Sequence, residues 1–113
     1  MTVNVVALNA AATAIGTAVT HLGLVNASGT ELSGGTYARL PVTWTVASAG
    51  VINPTSDKVF NVPAGQTVGG WRGYTALTSG TDYGGASLTN EVYAAAGTYT
   101  LVAAGTGYDA DAS

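Results

Sequence analysis

The chain has 113 residues, of which 47% are hydrophobic and only 8% are charged, and its net charge is −3. That length fits one domain with one modest core. Three cations cannot neutralise a row of phosphates or hold an anionic membrane surface, so we expect neither nucleic acid nor a membrane as a partner. The absence of cysteine excludes disulfides and thiolate metal sites.

The low charge content also bears on assembly, because a typical soluble domain has about 25% charged residues. Here Gly, Ala, Thr, Ser and Asn fill the gap. A weakly charged surface gives little protection against self-association. We therefore expect a subunit of an oligomer or of a larger particle. The alternative is a monomer with a neutral surface rich in Thr and Ser.

The N-terminal segment, residues 1–18, is expected to be an arm or a short helical segment. Val3–Leu8 has the composition of a strand. Leu8–Ala18 is rich in alanine, which favours helix, but Gly16 and two threonines interrupt it, so we predict a helical turn or irregular structure. The start lacks the basic region of a signal peptide and Met1 is the only methionine. We therefore expect a chain made in a cytoplasm without a leader.

Alternating apolar and polar residues dominate residues 19–103, which we predict to form a β domain. The clearest strand is Tyr37–Ala47, whose apolar face includes Trp44. Pro41 cannot donate a backbone hydrogen bond, so this strand should lie at a sheet edge or contain a bulge. The other predicted strands are Val19–Val25, Lys58–Val62, Val68–Leu77, Glu91–Ala95 and Thr98–Ala103.

Glycine-containing turns separate these strands, for example at Ser28-Gly29, while the pairs Gly69-Gly70 and Gly84-Gly85 are typical of turns or bulges. Short strands at such spacing predict an all-β fold, a small antiparallel β-sandwich or barrel with little or no helix. Two similar segments begin at Gly23 and Gly73. They are either two pseudo-repeats that form the halves of the fold or a chance similarity in a sequence rich in Gly, Ser and Thr.

The C-terminal residues 104–113 lose the alternation and are expected to form a tail that is ordered only if something holds it. Asp109 and Asp111 could contribute to a calcium site, but the sequence lacks the spacing of a calcium-binding loop. A solvated tail is the favoured interpretation.

The sequence predicts no catalytic site, no cofactor and no metal. His21 is the only histidine, and a general base would need a partner held beside it. Thr20 is its neighbour, but adjacent residues of a strand point to opposite faces. Glu31 and Asp82 could form a glycosidase-type pair, yet any two distant acids would meet the same criterion. We therefore expect a protein that is not an enzyme.

Aromatic residues are the best candidates for contacts with a partner. Trp71 and Tyr74 flank Arg72 between glycines and are predicted to be partly exposed. Trp, Tyr and Arg are enriched at interface hot spots, and an aromatic platform can also stack on a sugar ring. A buried strand with tyrosine hydroxyls at its rim is an equally good interpretation. Tyr37 and Arg39 complete the candidate interface.

Four stretches resemble a family of small virion proteins of tailed bacteriophages, described as head decoration, minor tail or tail-fibre-like proteins and common among phages of actinobacteria. The most specific stretch is the pattern GG-x-YAR-x-x-VT. This chain departs from the family pattern because its VTH-x-GL element precedes the YAR element. The stretches are Gly34–Trp44, Val19–Leu24, Val62–Val68 and Gly97–Leu101.

The resemblance implies a structural, non-enzymatic virion protein and supplies no catalytic residues. Small size, low charge and the lack of a fibre-like repeat favour a capsid decoration protein on the outer head surface. We expect it to bind the major capsid protein and copies of itself, with a homotrimer seated at local three-fold positions. The alternative is a tail-tip or tail-fibre module that contacts glycans of the host surface.

Overall fold

The computed structural model describes residues 3–111, and within them the protein is mostly β, with antiparallel sheets and one α-helix. None of these sheets closes on itself. The helix α1 spans Val5–Ala18. The eight strands are β1 His21–Val25, β2 Leu40–Pro41, β3 Val51–Ile52, β4 Lys58–Val62, β5 Gln66–Tyr74, β6 Asp82–Tyr93, β7 Gly97–Leu101 and β8 Tyr108–Asp109. A β-rich fold is therefore confirmed, while the sandwich and the pseudo-repeats stay predictions.

The helix α1 corrects the expectation of little or no helix and of a strand at Val3–Leu8. Asn4 caps its start, since the side-chain oxygen accepts a hydrogen bond from the Ala7 amide at 3.0 Å. The alanines that follow have high helix propensity. Gly16 does not break the helix: a Cβ there would lie 3.1 Å from Ile52 Cδ1, so glycine allows close packing of α1 on β3.

The central sheet has the strand order β2-β1-β5-β6. In its middle, β1 and β5 pair over five positions from His21↔Tyr74 to Val25↔Gly70. Every residue of these two strands is buried or half-buried. The edge strand β6 is instead largely exposed along its 12 residues.

The two glycine pairs lie inside strands and mark irregularities of the β5–β6 ladder. The register shifts between Val68 and Gly70 and again between Arg72 and Tyr74. Gly84 has φ +87°, which favours glycine, and Gly85 is pressed against the Trp71 carbonyl, where a Cβ has no room. Of the two interpretations of these pairs, the bulge is confirmed and the turn is wrong.

The segment predicted as one strand from Tyr37 to Ala47 forms only the short edge strand β2. Its edge position, expected from Pro41, is confirmed. The Val42 amide still donates to the Thr20 carbonyl, just before β1. Beyond Val42 the chain bonds to a different segment, where the Thr45 amide donates to the Asn53 carbonyl at 2.8 Å. Trp44 forms an isolated bridge to Pro54. The alternating pattern of residues 37–47 therefore covers two short pairings with different segments, although the sequence predicts one strand.

The core lies where the central sheet and the β4–β7 ribbon both contribute side chains. The ribbon pairs Lys58–Val62 with Gly97–Leu101, close to the predicted bounds of both strands. Phe60, on β4, has no exposed surface. The buried residues of this core are Val19, Leu22, Leu24, Leu32, Val42, Phe60, Val62, Val68, Trp71 and Leu101.

Candidate functional site

A cluster of polar and aromatic side chains, here named the Glu31 cluster, consists of Glu31, Tyr37, Arg39 and Tyr74. The Arg39 guanidinium grips the Glu31 carboxylate with two parallel bonds of 2.9 Å, from Nε to Oε2 and from Nη2 to Oε1. The Tyr37 hydroxyl donates to Glu31 Oε2 at 2.7 Å. Arg39 also lies over the Tyr74 ring, 3.6 Å from its centroid. Such forked, charge-assisted bonds are among the strongest in proteins.

The Glu31 cluster fastens two connecting segments to the central sheet. Arg39 Nη1 donates to the carbonyl oxygens of Ala76 at 3.0 Å and Ser79 at 2.7 Å, in the segment between β5 and β6. The Leu24 amide of β1 donates to the Tyr37 hydroxyl at 3.0 Å. The side chain of Arg39 is only 11% exposed. Its hydrogen-bonding capacity is therefore largely spent inside the molecule.

Gly23 makes room for the Glu31 cluster. A Cβ at this position of β1 would lie 2.8 Å from both the Tyr37 hydroxyl oxygen and Tyr74 Cε2, and 2.9 Å from Glu31 Oε2. These three atoms belong to side chains held by hydrogen bonds or by stacking within the cluster, so they can make room only by disturbing those contacts. Glycine at 23 is thus a packing requirement rather than a turn signal.

The surroundings of the cluster shift the pKa values of its members. Burial, together with the hydrogen bond to Glu31, raises the pKa of Tyr37 far above the ordinary phenol value. Burial raises the pKa of Tyr74 to about 12, and the negative charges of Glu31 and Asp82 add to the rise. The hydrogen bond to Glu31 raises the pKa of Arg39. Both phenols are therefore neutral at neutral pH, and the Arg39 guanidinium is charged.

Tyr108 holds the C-terminal segment, which the sequence presents as a solvated tail. Its ring packs edge-on to Trp71 at 5.4 Å between centroids and is tilted against Trp44 at 5.5 Å. Its hydroxyl donates to the Gly84 carbonyl at 2.7 Å. Together with Asp109 it forms β8, which pairs with β3. The interpretation of a solvated tail does not hold for Tyr108 and Asp109, because contacts within the chain itself hold this part of the segment.

The structure separates the five residues predicted as an interface. Trp71 is 2% exposed and Tyr74 is 6% exposed, so the prediction that they are partly exposed is wrong. They lie in a central strand covered on both faces. Tyr37 and Arg39 are half-buried and committed to Glu31. Arg72 is half-buried, and within residues 3–111 no hydrogen bond or ion pair engages its guanidinium.

His21 contacts its sequence neighbour, contrary to the expectation from strand geometry. The Thr20 hydroxyl lies 2.9 Å from His21 Nδ1. Thr20 directly precedes β1, and its backbone amide and carbonyl are bonded to Tyr74 and Val42 on either side. Among the described residues no carboxylate is hydrogen-bonded to the imidazole. The pair consequently offers a base and a hydroxyl without a group that orients the base.

The acidic residues that could carry chemistry have separate, local tasks. Asp82 accepts a hydrogen bond from the Gly84 amide at 2.6 Å, and Asp109 accepts one from the Asp111 amide at 2.9 Å. Glu31 belongs to its cluster, so it does not face Asp82 as a free second carboxylate. In the part of the chain that the structure describes, no group of three metal-ligating side chains occurs.

The surface carries exposed apolar side chains on many elements. Val6 on α1 is 74% exposed, Val46 is 93% exposed and Val92 on β6 is 75% exposed. Not one residue of α1 is charged. The described range, 3–111, contains no helix able to span a membrane. The other exposed large hydrophobic residues are Val3, Val5, Val59, Leu77, Tyr83 and Val102.

The sequence does not predict the Glu31 cluster, although each of its members stands out as a candidate residue. By itself the sequence presents Glu31 only as an acid, and Tyr37 and Arg39 only as surface contacts. The available signal is the spacing of Tyr37 and Arg39, which are two residues apart and so project to one side of an extended segment. Nothing in the sequence indicates which acid they meet.

Comparison of the chain with protein-family models, with curated proteins and with solved structures finds no match in any of the three.

Proposed function

We propose that this protein is a non-enzymatic structural component of a tailed-bacteriophage virion, a capsid decoration protein on the outer head surface. The observation that carries the proposal is a weakly charged surface with exposed valines on several elements. The resemblance of the GG-x-YAR-x-x-VT stretch to small virion proteins supports the same assignment. The partners are the major capsid protein and further copies of this chain, assembled as a homotrimer.

The exposed apolar side chains and the low charge of the surface are suited to interfaces with other proteins. A stable protein interface buries about 1,000 Å² or more, with an apolar centre. Val6 lies on α1, Val92 on β6 and Val46 in the segment between β2 and β3, so exposed apolar side chains occur in separate parts of the chain. With 8% charged residues, little on this surface opposes burial. A subunit with several neighbours would use all of these positions.

The interior supports a rigid building block. The side chains with the richest chemistry, those of the Glu31 cluster and Tyr108, are bonded within the chain. The principal dimensions, 48 × 24 × 22 Å, describe an elongated body. A cement protein needs a fixed shape that reproduces the same contacts in many copies. Internal saturation of polar groups supplies that rigidity.

The head location is favoured over a glycan-binding tail module. Sugar recognition by stacking requires an accessible aromatic face. The two aromatic residues predicted for that task, Trp71 and Tyr74, are buried. A tail module would have to bind its receptor through other residues.

Binding to purified phage heads that lack their decoration tests the proposal. We expect saturable binding, and light scattering across a concentration series should give the mass of a trimer. Val6→Asp, Val46→Asp and Val92→Asp, made singly, should leave folding intact because the three side chains are exposed; at least one should weaken binding. Val62→Asp, at a buried position, is the control that unfolds the protein. A lack of saturable binding to heads overturns the proposal, and binding to tails instead establishes the alternative.

A further inference from the structure

Arg72 forms one wall of a small cavity that the Glu31 cluster does not use. The cavity, here named the Arg72 cavity, has a volume of about 130 Å³. It lies between the turn that follows β1, the middle of β5 and the start of β6. The lining includes Gly29, Gly69, Gly70, Gly85, Ser87 and Arg72, so backbone rather than side chain makes up most of the wall.

The guanidinium of Arg72 lies beside the turn that follows β1 and, within residues 3–111, is not paired with an acidic side chain. A Cβ on Gly29 would lie 3.3 Å from Arg72 Nη2, which places the guanidinium directly beside the turn. In the described range, the one ion pair joins Arg39 to Glu31 and does not involve Arg72. No residue that lines the cavity is acidic. The guanidinium therefore presents free N–H donors to a space that holds no counter-charge.

The wall opposite β5 is preorganised. The Asn26 side-chain oxygen accepts hydrogen bonds from the amides of Ser28 at 2.9 Å and Thr30 at 3.1 Å, which fixes the turn. Gly29 in that turn has φ +84°, a value that favours glycine. A ligand that enters meets a shape already formed and loses little free energy in ordering it.

Size and charge together select the ligand. A cavity of about 130 Å³ is below the range of roughly 300–1,000 Å³ typical of drug-sized ligands. One guanidinium balances one negative charge, and the net charge of −3 opposes a dianion such as phosphate. The planar fork of arginine matches the two oxygens of a carboxylate. We propose that the Arg72 cavity binds a carboxylate, either free or carried by the side chain of a neighbouring polypeptide.

A carboxylate carried by a neighbouring polypeptide would be part of the contacts made in the virion, so this source rests on the proposed function. An aspartate or glutamate of a neighbour would enter the cavity and pair with Arg72. The first source needs no partner protein. The two are separable because a peptide brings contacts with the rim that acetate lacks.

Amide and arginine side-chain NMR resonances of the whole chain provide the measurement, with acetate as the free probe and Ac-Gly-Asp-Gly-NH₂ as the peptide probe. Ionic strength is held constant with chloride, because screening alone shifts surface resonances. We expect saturable shifts at Gly29, Gly70 and the Arg72 side chain, with a dissociation constant on the order of millimolar. Arg72→Gln should weaken binding at least 10-fold. Lys58→Gln removes the same charge outside the cavity and should leave binding unchanged.

The probes then decide the source. Tighter binding of the Asp peptide than of acetate, lost in Ac-Gly-Asn-Gly-NH₂, supports a polypeptide carboxylate, while equal affinity supports a free one. Absence of saturable shifts at the cavity, shifts that persist in Arg72→Gln, or tighter binding of phosphate each overturns the proposal. Failure here leaves binding to phage heads untouched, so it is distinguishable from failure of the proposed function.

Discussion

Two arginines of this protein lie close to the same central sheet, and they differ in whether the protein itself bonds their guanidinium groups. Arg39 donates to Glu31, Ala76 and Ser79 and stacks on an aromatic ring. Arg72, in β5, borders a cavity walled by glycines, and no hydrogen bond or ion pair within residues 3–111 engages its guanidinium. In the Glu31 cluster, the arginine charge is paired and stabilises the fold. In the Arg72 cavity, the guanidinium is free to bind a ligand.

The difference comes from what surrounds each guanidinium rather than from the arginine itself. Both arginines have aromatic residues close by in the sequence, at Tyr37 and Trp71. Only Arg39 meets an acid, and it meets one eight residues away that a turn brings back. Arg72 is opposed across the sheet by Gly23 and Gly85, which carry no side chain. A charged residue becomes structural when its neighbours satisfy it, and becomes a candidate binding group when they do not.

Raising the pH into the alkaline range should destabilise the Glu31 cluster, and we expect this to lower the free energy of unfolding more than any of the substitutions below. Tyrosine in an unfolded chain has a pKa near 10, whereas burial raises the pKa of Tyr74 in the fold to about 12. Between these values the unfolded chain releases protons that the folded chain keeps, so the free energy of unfolding falls as pH rises. Tyr37, whose pKa is also raised, adds to the slope. Urea unfolding at pH 9, 10 and 11 checks this, and a midpoint independent of pH would contradict it.

Removing the charge of Glu31 should damage the fold more than crowding the cluster or changing Arg72. Glu31→Gln leaves the Arg39 guanidinium without a counter-charge at a site where its side chain is 11% exposed. We expect a loss of about 2–3 kcal/mol in the free energy of unfolding, below the range for a fully buried pair because Glu31 is 27% exposed. Glu91→Gln, on the exposed strand β6, is the matched control and should change stability by less than about 0.5 kcal/mol. Equal effects would place the cluster among ordinary surface pairs.

Crowding the cluster through Gly23 should be somewhat milder. Gly23→Ala places a methyl group within 3 Å of three members of the cluster. Overpacking of this kind costs about 1–3 kcal/mol. Gly105→Ala is the control, because nothing lies within 4 Å of a Cβ there. Thermal unfolding of the two variants should separate them clearly. If Gly23→Ala melts like the control, the cluster can rearrange and its description as rigid is wrong.

Arg72→Gln should have the smallest effect on folding. Within residues 3–111 no hydrogen bond or ion pair depends on its charge, so we expect the free energy of unfolding to stay within about 0.5 kcal/mol of the starting protein. The same urea experiment provides the measurement. A loss as large as that of Glu31→Gln would mean that Arg72 stabilises the fold, and the contrast between the two arginines would disappear.

Where a segment pairs with a single partner along its whole length, the alternating sequence pattern is sufficient to predict the strand and its bounds. β4 and β7 pair over five positions, and alternation places both close to their observed bounds. The prediction of one strand over Tyr37–Ala47 fails because the pairing partner changes after Val42, and alternation carries no information about the partner. The helix is missed because valines at its start favour strand, while the Asn4 cap lies just before them.

The candidate site is harder to predict because it depends on contacts between distant segments. Exposed and buried aromatic residues have the same local pattern, so Trp71 and Tyr74 cannot be assigned from their neighbours. The glycines beside Arg72 suggest an exposed part of the strand, yet the strand is mostly buried. Likewise, Tyr108 lies in a tail of low complexity, and its slot is formed by Trp44 and Trp71 from far upstream.

The irregular ladder between β5 and β6 has a consequence for proteins present in many copies. A straight, exposed edge strand is a template on which another chain can add its own strand, and repetition of that step produces fibrils. β6 is an exposed edge strand of 12 residues with few charges, but its pairing with β5 is not regular. Its two register shifts interrupt the regular ladder with β5, and bulges of this kind are one device by which natural edge strands discourage the addition of another strand. We therefore expect less strand addition at this edge than a regular strand of the same length would allow, without the cost of a charged surface.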